Sequence, residues 1–223
     1  MKVSKKKLFN YVKFICRIII FIFAVVLFFT GGIVKNNTVN IVFLSTVWCF
    51  YVIGFIFKII PNKFSSRGSQ KIFKRYYIPS EALPKKEKNH LLLTIILWSS
   101  VNLVFGLLYI FGIFTKDIMV LLSLAYFICD SICILIFCPF RLWINKNRCC
   151  VTCRIYNWDC IMLVTPLIFI PHWITYILVG LALFILIEWE VIHYKHPERF
   201  SEKSNLALRC FNCKDKSCKC KNK

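Results

Sequence analysis

The sequence predicts an all-α fold: a polytopic helical membrane bundle of about six transmembrane segments, the fifth short and interrupted by proline. Three observations predict it. The 223 residues are 58% hydrophobic and 17% aromatic, more apolar side chain than a soluble domain of this size can hide. The apolar residues come in runs long enough to cross a bilayer. The net charge of +20 collects in the stretches between the runs. Such placement suits an anionic membrane surface, so lipid headgroups are the expected charged partner. No RNA- or DNA-binding motif is present, and nucleic acid is not expected as a partner.

Residues 1–13 form a basic N-terminus carrying Lys2, Lys5, Lys6, Lys7 and Lys13. Residues 14–60 hold the first two spans. The first apolar run, 14–33, is broken only by Cys16 and Arg17 near its start. It is long for the core of a signal peptide, which favours a retained helix over cleavage near Thr30-Gly31-Gly32. A short polar turn at 34–40 leads into the second run, 41–60. Residues 61–90 are a basic loop, with Lys71 to Ile78 mixing cations and aromatics. The expectation is an amphipathic stretch on the membrane surface.

Residues 91–140 form a hairpin of spans three and four, 91–114 and 118–140. Only Thr115, Lys116 and Asp117 separate them, which forces an antiparallel pair. Residues 141–160 are a cysteine-rich loop. The last apolar region, 161–192, is too long for one span, and Pro166 and Pro171 divide it. At ~1.5 Å per residue the fifth segment, 158–170, covers about 20 Å, against a hydrocarbon core of ~30 Å. It must be broken, extended by Tyr156 and Trp158, or re-entrant. The final span is 173–192, and 193–223 is a second basic, cysteine-rich stretch.

Orientation follows from the lysines and arginines beside the spans. The N-terminus, the 61–90 loop, the cysteine loop and the tail are all basic, whereas 34–40 and 115–117 carry one lysine each, Lys35 and Lys116. The expected topology is six crossings of an inner cell membrane with both termini in the cytoplasm.

Under that topology Cys138, Cys149, Cys150, Cys153, Cys160, Cys210, Cys213, Cys218 and Cys220 all fall at or beyond the cytoplasmic interface. In a reducing compartment such thiols point to metal binding or redox work rather than structural disulfides. Cys150-x2-Cys153 and Cys210-x2-Cys213 have the spacing of two thiolates turned toward one ion. The expected site joins the loop at 149–153 to the tail at 210–220, with Cys149, Cys150, Cys153, Cys210, Cys213 and Cys218 as candidate ligands. Zinc is the expected ion, with iron or an iron–sulfur centre as the alternative. Juxtamembrane cysteines beside basic residues are also lipidation candidates.

Asp130 lies mid-span in the fourth helix, where an acid is a functional candidate. Its expected partner is Asn102, at similar depth across the hairpin. Glu190 and His193 share a helix face, but the second pair that a carboxylate-bridged di-metal bundle needs is missing. No phosphate-binding loop, His-Glu-x2-His or Gly-x-Ser-x-Gly motif is present. Three functions remain open: a metal-stapled structural or accessory membrane protein, a membrane oxidoreductase using iron or reactive thiols, and a small metal-ion or solute transporter. Sparse polar lining weakens the last.

Overall fold

The computed structural model describes residues 5–35, 37–62, 65–81, 91–145 and 149–212. In order these form α1 (Lys5–Phe29), α2 (Thr38–Ile59), the single turn α3 (Arg67–Gln70), α4 (Leu91–Ile110), α5 (Lys116–Leu135), α6 (Asp159–Val164) and α7 (Trp173–Lys195). Five of them are long and apolar enough to cross a membrane: Leu8–Phe29, Thr38–Ile59, Leu91–Ile110, Lys116–Leu135 and Trp173–Lys195. Helices satisfy their own backbone groups, which is what a lipid environment demands. Their outer faces expose Ile19, Ile96, Leu103, Phe184 and Ile187, and a bilayer is the solvent that such faces require. The protein is an integral, multi-pass membrane protein with a helical bundle.

One end of the bundle is closed by two turns that hold each other. α1 stops at Gly31 and Gly32, whose φ values of 137° and 103° lie in the left-handed region. The backbone N–H groups of Ile33 and Val34 then donate to Asp117 Oδ1 at 2.9 and 2.6 Å. Asp117 is in the first turn of α5, so the α1–α2 turn is docked on the α4–α5 turn.

Beside the five span-length helices, the expected short, proline-interrupted fifth segment is a broken one. That segment is a 3-10 turn at Tyr156–Trp158, then α6, then a 3-10 stretch at Thr165–Phe169. At its start Trp158 Nε1 donates to Glu190 Oε1 of α7 at 2.8 Å. At its end Thr175 Oγ1 of α7 donates to the Ile170 carbonyl at 2.8 Å. It therefore runs alongside α7 over most of that helix, about 20 Å. The 3-10 winding helps a short chain cover the distance, because it rises ~2.0 Å per residue rather than ~1.5 Å. Pro166 opens the 3-10 stretch, where its missing N–H does least harm.

Irregular backbone survives at membrane depth only inside protein. Here α4, α5 and α7 all pack on the segment. Cys160 and Val164 are completely buried. Ser123 Oγ donates to the Leu163 carbonyl at 2.8 Å and Thr165 Oγ1 to the Ile161 carbonyl at 2.7 Å. Gly106 of α4 gives room for the Phe169 ring, since a Cβ there would stand 2.3 Å from Phe169 Cζ.

The fourth span also ends earlier than expected, at Leu135. Pro139 disfavours helix at Cys138 and the chain turns away, through one wide helical turn at Phe140–Ile144. Beyond this end, residues 65–81 do not lie as a free amphipathic stretch. Gly68, Ser69, Gln70, Lys71 and Ile72 are buried. Lys71 Nζ donates to the carbonyls of Val151 and Cys153 at 3.3 and 2.9 Å. Arg199 donates to the Ile72 carbonyl at 2.9 Å, and Ser80 N–H to the Ser204 carbonyl at 3.0 Å. The first part of the basic loop, the cysteine loop and the start of the tail thus form a polar cap on the end opposite the docked turns.

Candidate functional site

Two ion pairs mark the cap end of the bundle. Arg17 of α1 is 4% exposed, and its Nη1 donates to Asp130 Oδ2 at 2.6 Å, to Ser131 Oγ at 2.6 Å and to the Phe127 carbonyl at 2.7 Å. Its guanidinium carbon sits 3.8 Å above the Phe127 ring. Lys58 of α2 pairs with Asp159 at the start of α6. The expected partnership of Asp130 with Asn102 is corrected: Asn102 instead donates to the Trp98 carbonyl at 2.9 Å and accepts from Tyr126 Oη at 3.4 Å. The physical reason is charge. A buried carboxylate gains far more from a guanidinium than from an amide. The signal was present in the sequence, since Arg17 is the one cation within the first apolar run.

Asp130 is also on the wall of a cavity of about 130 Å³. The cavity lies between α4, α5, the turn after α5, the cysteine loop and the broken segment. Trp98, Tyr126, Phe140 and Met162 supply apolar walls. Cys129, Cys133, Cys138, Cys150 and Cys153 also line it, with Arg141 as the adjacent cation. The intramembrane acid and the cysteine loop, separate in sequence, thus share one cavity.

The thiols within it are not equivalent. The turn at Pro139 leaves Cys138 on the same cavity wall as Cys133 of α5. The neighbouring Cys133 thiol, the backbone N–H groups of Arg141 and Phe140 and the Arg141 charge outweigh burial, and hold Cys138 down to about 7. Cys150 Sγ donates to the Cys133 carbonyl at 3.7 Å and accepts from Arg141 Nη1 at 3.3 Å. Burial nevertheless prevails at Cys150, whose thiol is pushed up to about 11. Cys138 is therefore held nearer to ionising at neutral pH than Cys150, with Cys133 on the same wall. Sequence reasoning passed over this pair because Cys133 reads as mid-span and Cys138 as the end of the same helix.

No protein-family model matches this sequence, and neither a curated protein nor a solved structure is significantly similar to it.

The candidate metal ligands are only partly brought together. Cys150 and Cys153 both line the cavity. Cys153 also packs with Ile72, Ile155, Trp158, Trp189 and Phe200. Cys149 packs instead with Val151 and Leu208 of the tail. Among the described residues, no three His, Cys, Asp or Glu side chains form a group able to hold a metal ion. Cys210 opens the turn Cys210–Asn212, while Cys213 and Cys218 lie outside the described residues. Glu190 is occupied as well: both its oxygens face the Arg154 guanidinium, and Trp158 Nε1 donates to it at 2.8 Å. His193 packs edge-on to Phe200 at 4.7 Å. Neither is arranged as a metal ligand.

Proposed function

We propose that this chain is a membrane thiol oxidoreductase in which Cys133 and Cys138 pass between a dithiol and a disulfide. The observation that carries the reading is that both thiols line one cavity, on either side of the turn that ends α5. Oxidation joins the two sulfurs and releases two electrons and two protons to an acceptor. Cys138 is the attacking or leaving sulfur, because the thiolate is the reactive form. Arg141 stabilises charge there, and Cys150, bonded to the Cys133 carbonyl, is a third thiol for exchange.

The test is equilibration of the detergent-purified protein in dithiothreitol buffers of graded potential, followed by maleimide trapping and peptide mass analysis. The expected product is one disulfide joining Cys133 to Cys138, absent in Cys138→Ser. Free alkylation of both sulfurs under strongly oxidising buffer removes the reading.

The orientation that goes with this function puts the basic cap and both termini in the cytoplasm of a cell whose inner membrane holds the protein. Anionic headgroups then face Lys74 and Arg75, which are exposed at the cap.

A second reading is supported by the contact of Leu208 with Cys149 and Val151, which brings the tail onto the cysteine loop. Here zinc staples the loop at 149–153 to the tail at 210–220 in a structural or accessory role, or iron takes its place. Elemental analysis without a histidine tag tests it. About one zinc per chain, lost in both Cys153→Ser and Cys213→Ser, supports the staple. Metal-free protein removes it.

A further inference from the structure

We infer that the cavity receives a lipid-soluble quinone, which takes the electrons of the Cys133–Cys138 pair. The inference rests on the thiol reading above and names its acceptor.

The first ground is where the cavity opens. Cys129 lines it and is exposed, yet it belongs to the membrane-spanning α5. An exposed residue at that level meets acyl chains rather than water. α4 packs on Thr165–Phe169 and on Phe140–Ile144, so it leans toward the broken segment and the turn after α5. A ligand entering by this side arrives from the lipid phase.

The second ground is the lining. Trp98 and Tyr126 lie with ring centroids 4.7 Å apart, and Trp98 and Phe140 6.1 Å apart. This aromatic wall suits the face of a flat conjugated ring. Polar groups line the same cavity, where Arg141 Nη1 donates to Cys150 Sγ at 3.3 Å beside the other thiols. A few placed donors in an otherwise apolar cavity are the usual means of orienting a small ligand. A quinone carbonyl is an acceptor for such a donor. An acyl chain fits the wall but accepts neither the hydrogen bond nor the electrons.

The reaction balances without another partner. Both S–H bonds of the pair are lost and one S–S bond forms. The two electrons and two protons convert both quinone carbonyls to hydroxyls.

The experiment uses full-length protein in detergent, reduced, desalted and mixed anaerobically with a short-chain ubiquinone or menaquinone analogue. Quinone absorbance and the Cys133–Cys138 disulfide are followed together, with diamide as a water-soluble oxidant in parallel. The expected result is about one quinone reduced per chain with the disulfide formed in step. Cys49→Ser, on the exposed face of α2, leaves the rate unchanged. Cys138→Ser lowers it at least tenfold. Trp98→Ala raises the apparent KM for quinone severalfold, Trp98→Phe restores it, and neither alters oxidation by diamide. Disulfide formation with diamide but not with quinone overturns the quinone and leaves the thiol reading intact. Equal quinone reduction by Cys138→Ser also overturns it, since other thiols then react. No disulfide with either oxidant removes both.

Discussion

Arg17 and Asp130 meet across the α1–α5 interface, with Nη1 2.6 Å from Oδ2 and side-chain exposures of 4% and 11%. The contact is one of charge and of packing, since α1 and α5 make the most extensive helix contact in the bundle. Removing one partner leaves a buried group uncompensated. Asp130→Leu or Arg17→Leu alone is expected to cost roughly 3–5 kcal/mol, and Arg17→Leu with Asp130→Leu less than the sum. Thermal denaturation of the three variants in detergent reads this directly. Additive losses would mean that the pair contributes nothing jointly.

Gly106 faces Phe169 with no room for a side chain. Gly106→Ala is expected to destabilise by about 1–3 kcal/mol, as overpacking does in close-packed cores. Phe169→Ala in the same chain then removes most of the added cost. If Gly106→Ala melts like the parent protein, the broken segment does not hold its ring against α4.

The Cys138 thiol is held down to about 7 from an ordinary value of 9.0. Its alkylation rate should rise with pH through a midpoint near 7, while Cys150, raised to about 11, stays slow at pH 8. Arg141→Leu removes the cation and should move the Cys138 midpoint upward. The linkage sign follows: a depressed thiol favours the folded chain when ionised. Its stabilising contribution is complete above about pH 9 and lost as pH falls through 7. A maleimide rate profile measures the midpoint, and a midpoint near 9 would show that neither Cys133 nor Arg141 favours the thiolate.

Lys71 is 2% exposed and supplies donors to two carbonyls of the cysteine loop, with Trp189 and Phe200 rings 5.0 and 5.1 Å from Nζ. Lys71→Met keeps the apolar stem and removes the donors. The loop is expected to open more often, so that Cys153, now 6% exposed, labels about tenfold faster, equivalent to ~1.4 kcal/mol of local opening. Peptide-resolved maleimide labelling is the readout. An unchanged Cys153 rate would assign the loop's stability to the Glu190–Arg154 clamp alone.

The spans were legible because apolar run length is a one-dimensional signal that lipid reads in the same way. Their ends were less so. Leu135 ends α5 because Pro139 disfavours helix before it, and that effect competed with continued hydrophobicity through Phe140. The shortness of the fifth segment was visible, but its solution was not. The hydroxyls of Ser123 and Thr165, which satisfy its backbone, are ordinary residues until the helices pack. At the site, Asp130 stood out and its partner did not. Depth along a hairpin is countable from sequence, whereas the face of α1 that meets α5 depends on packing. The cysteine spacing drew attention to Cys150 and Cys153, while the placement of Cys133 and Cys138 on one cavity wall arises from a turn that spacing does not encode.

The broken segment also bears on how the chain enters its membrane. Asp159 begins it, and the balancing cation, Lys58, comes from α2, about a hundred residues earlier. Presented alone to lipid, the segment is too short, carries an acid and lacks full backbone hydrogen bonding. It becomes acceptable at membrane depth only where α4, α5 and α7 pack around it and Lys58 of α2 balances its acid. Its placement therefore depends on contacts that only the packed helices supply, so membrane insertion and tertiary folding of residues 156–170 are coupled.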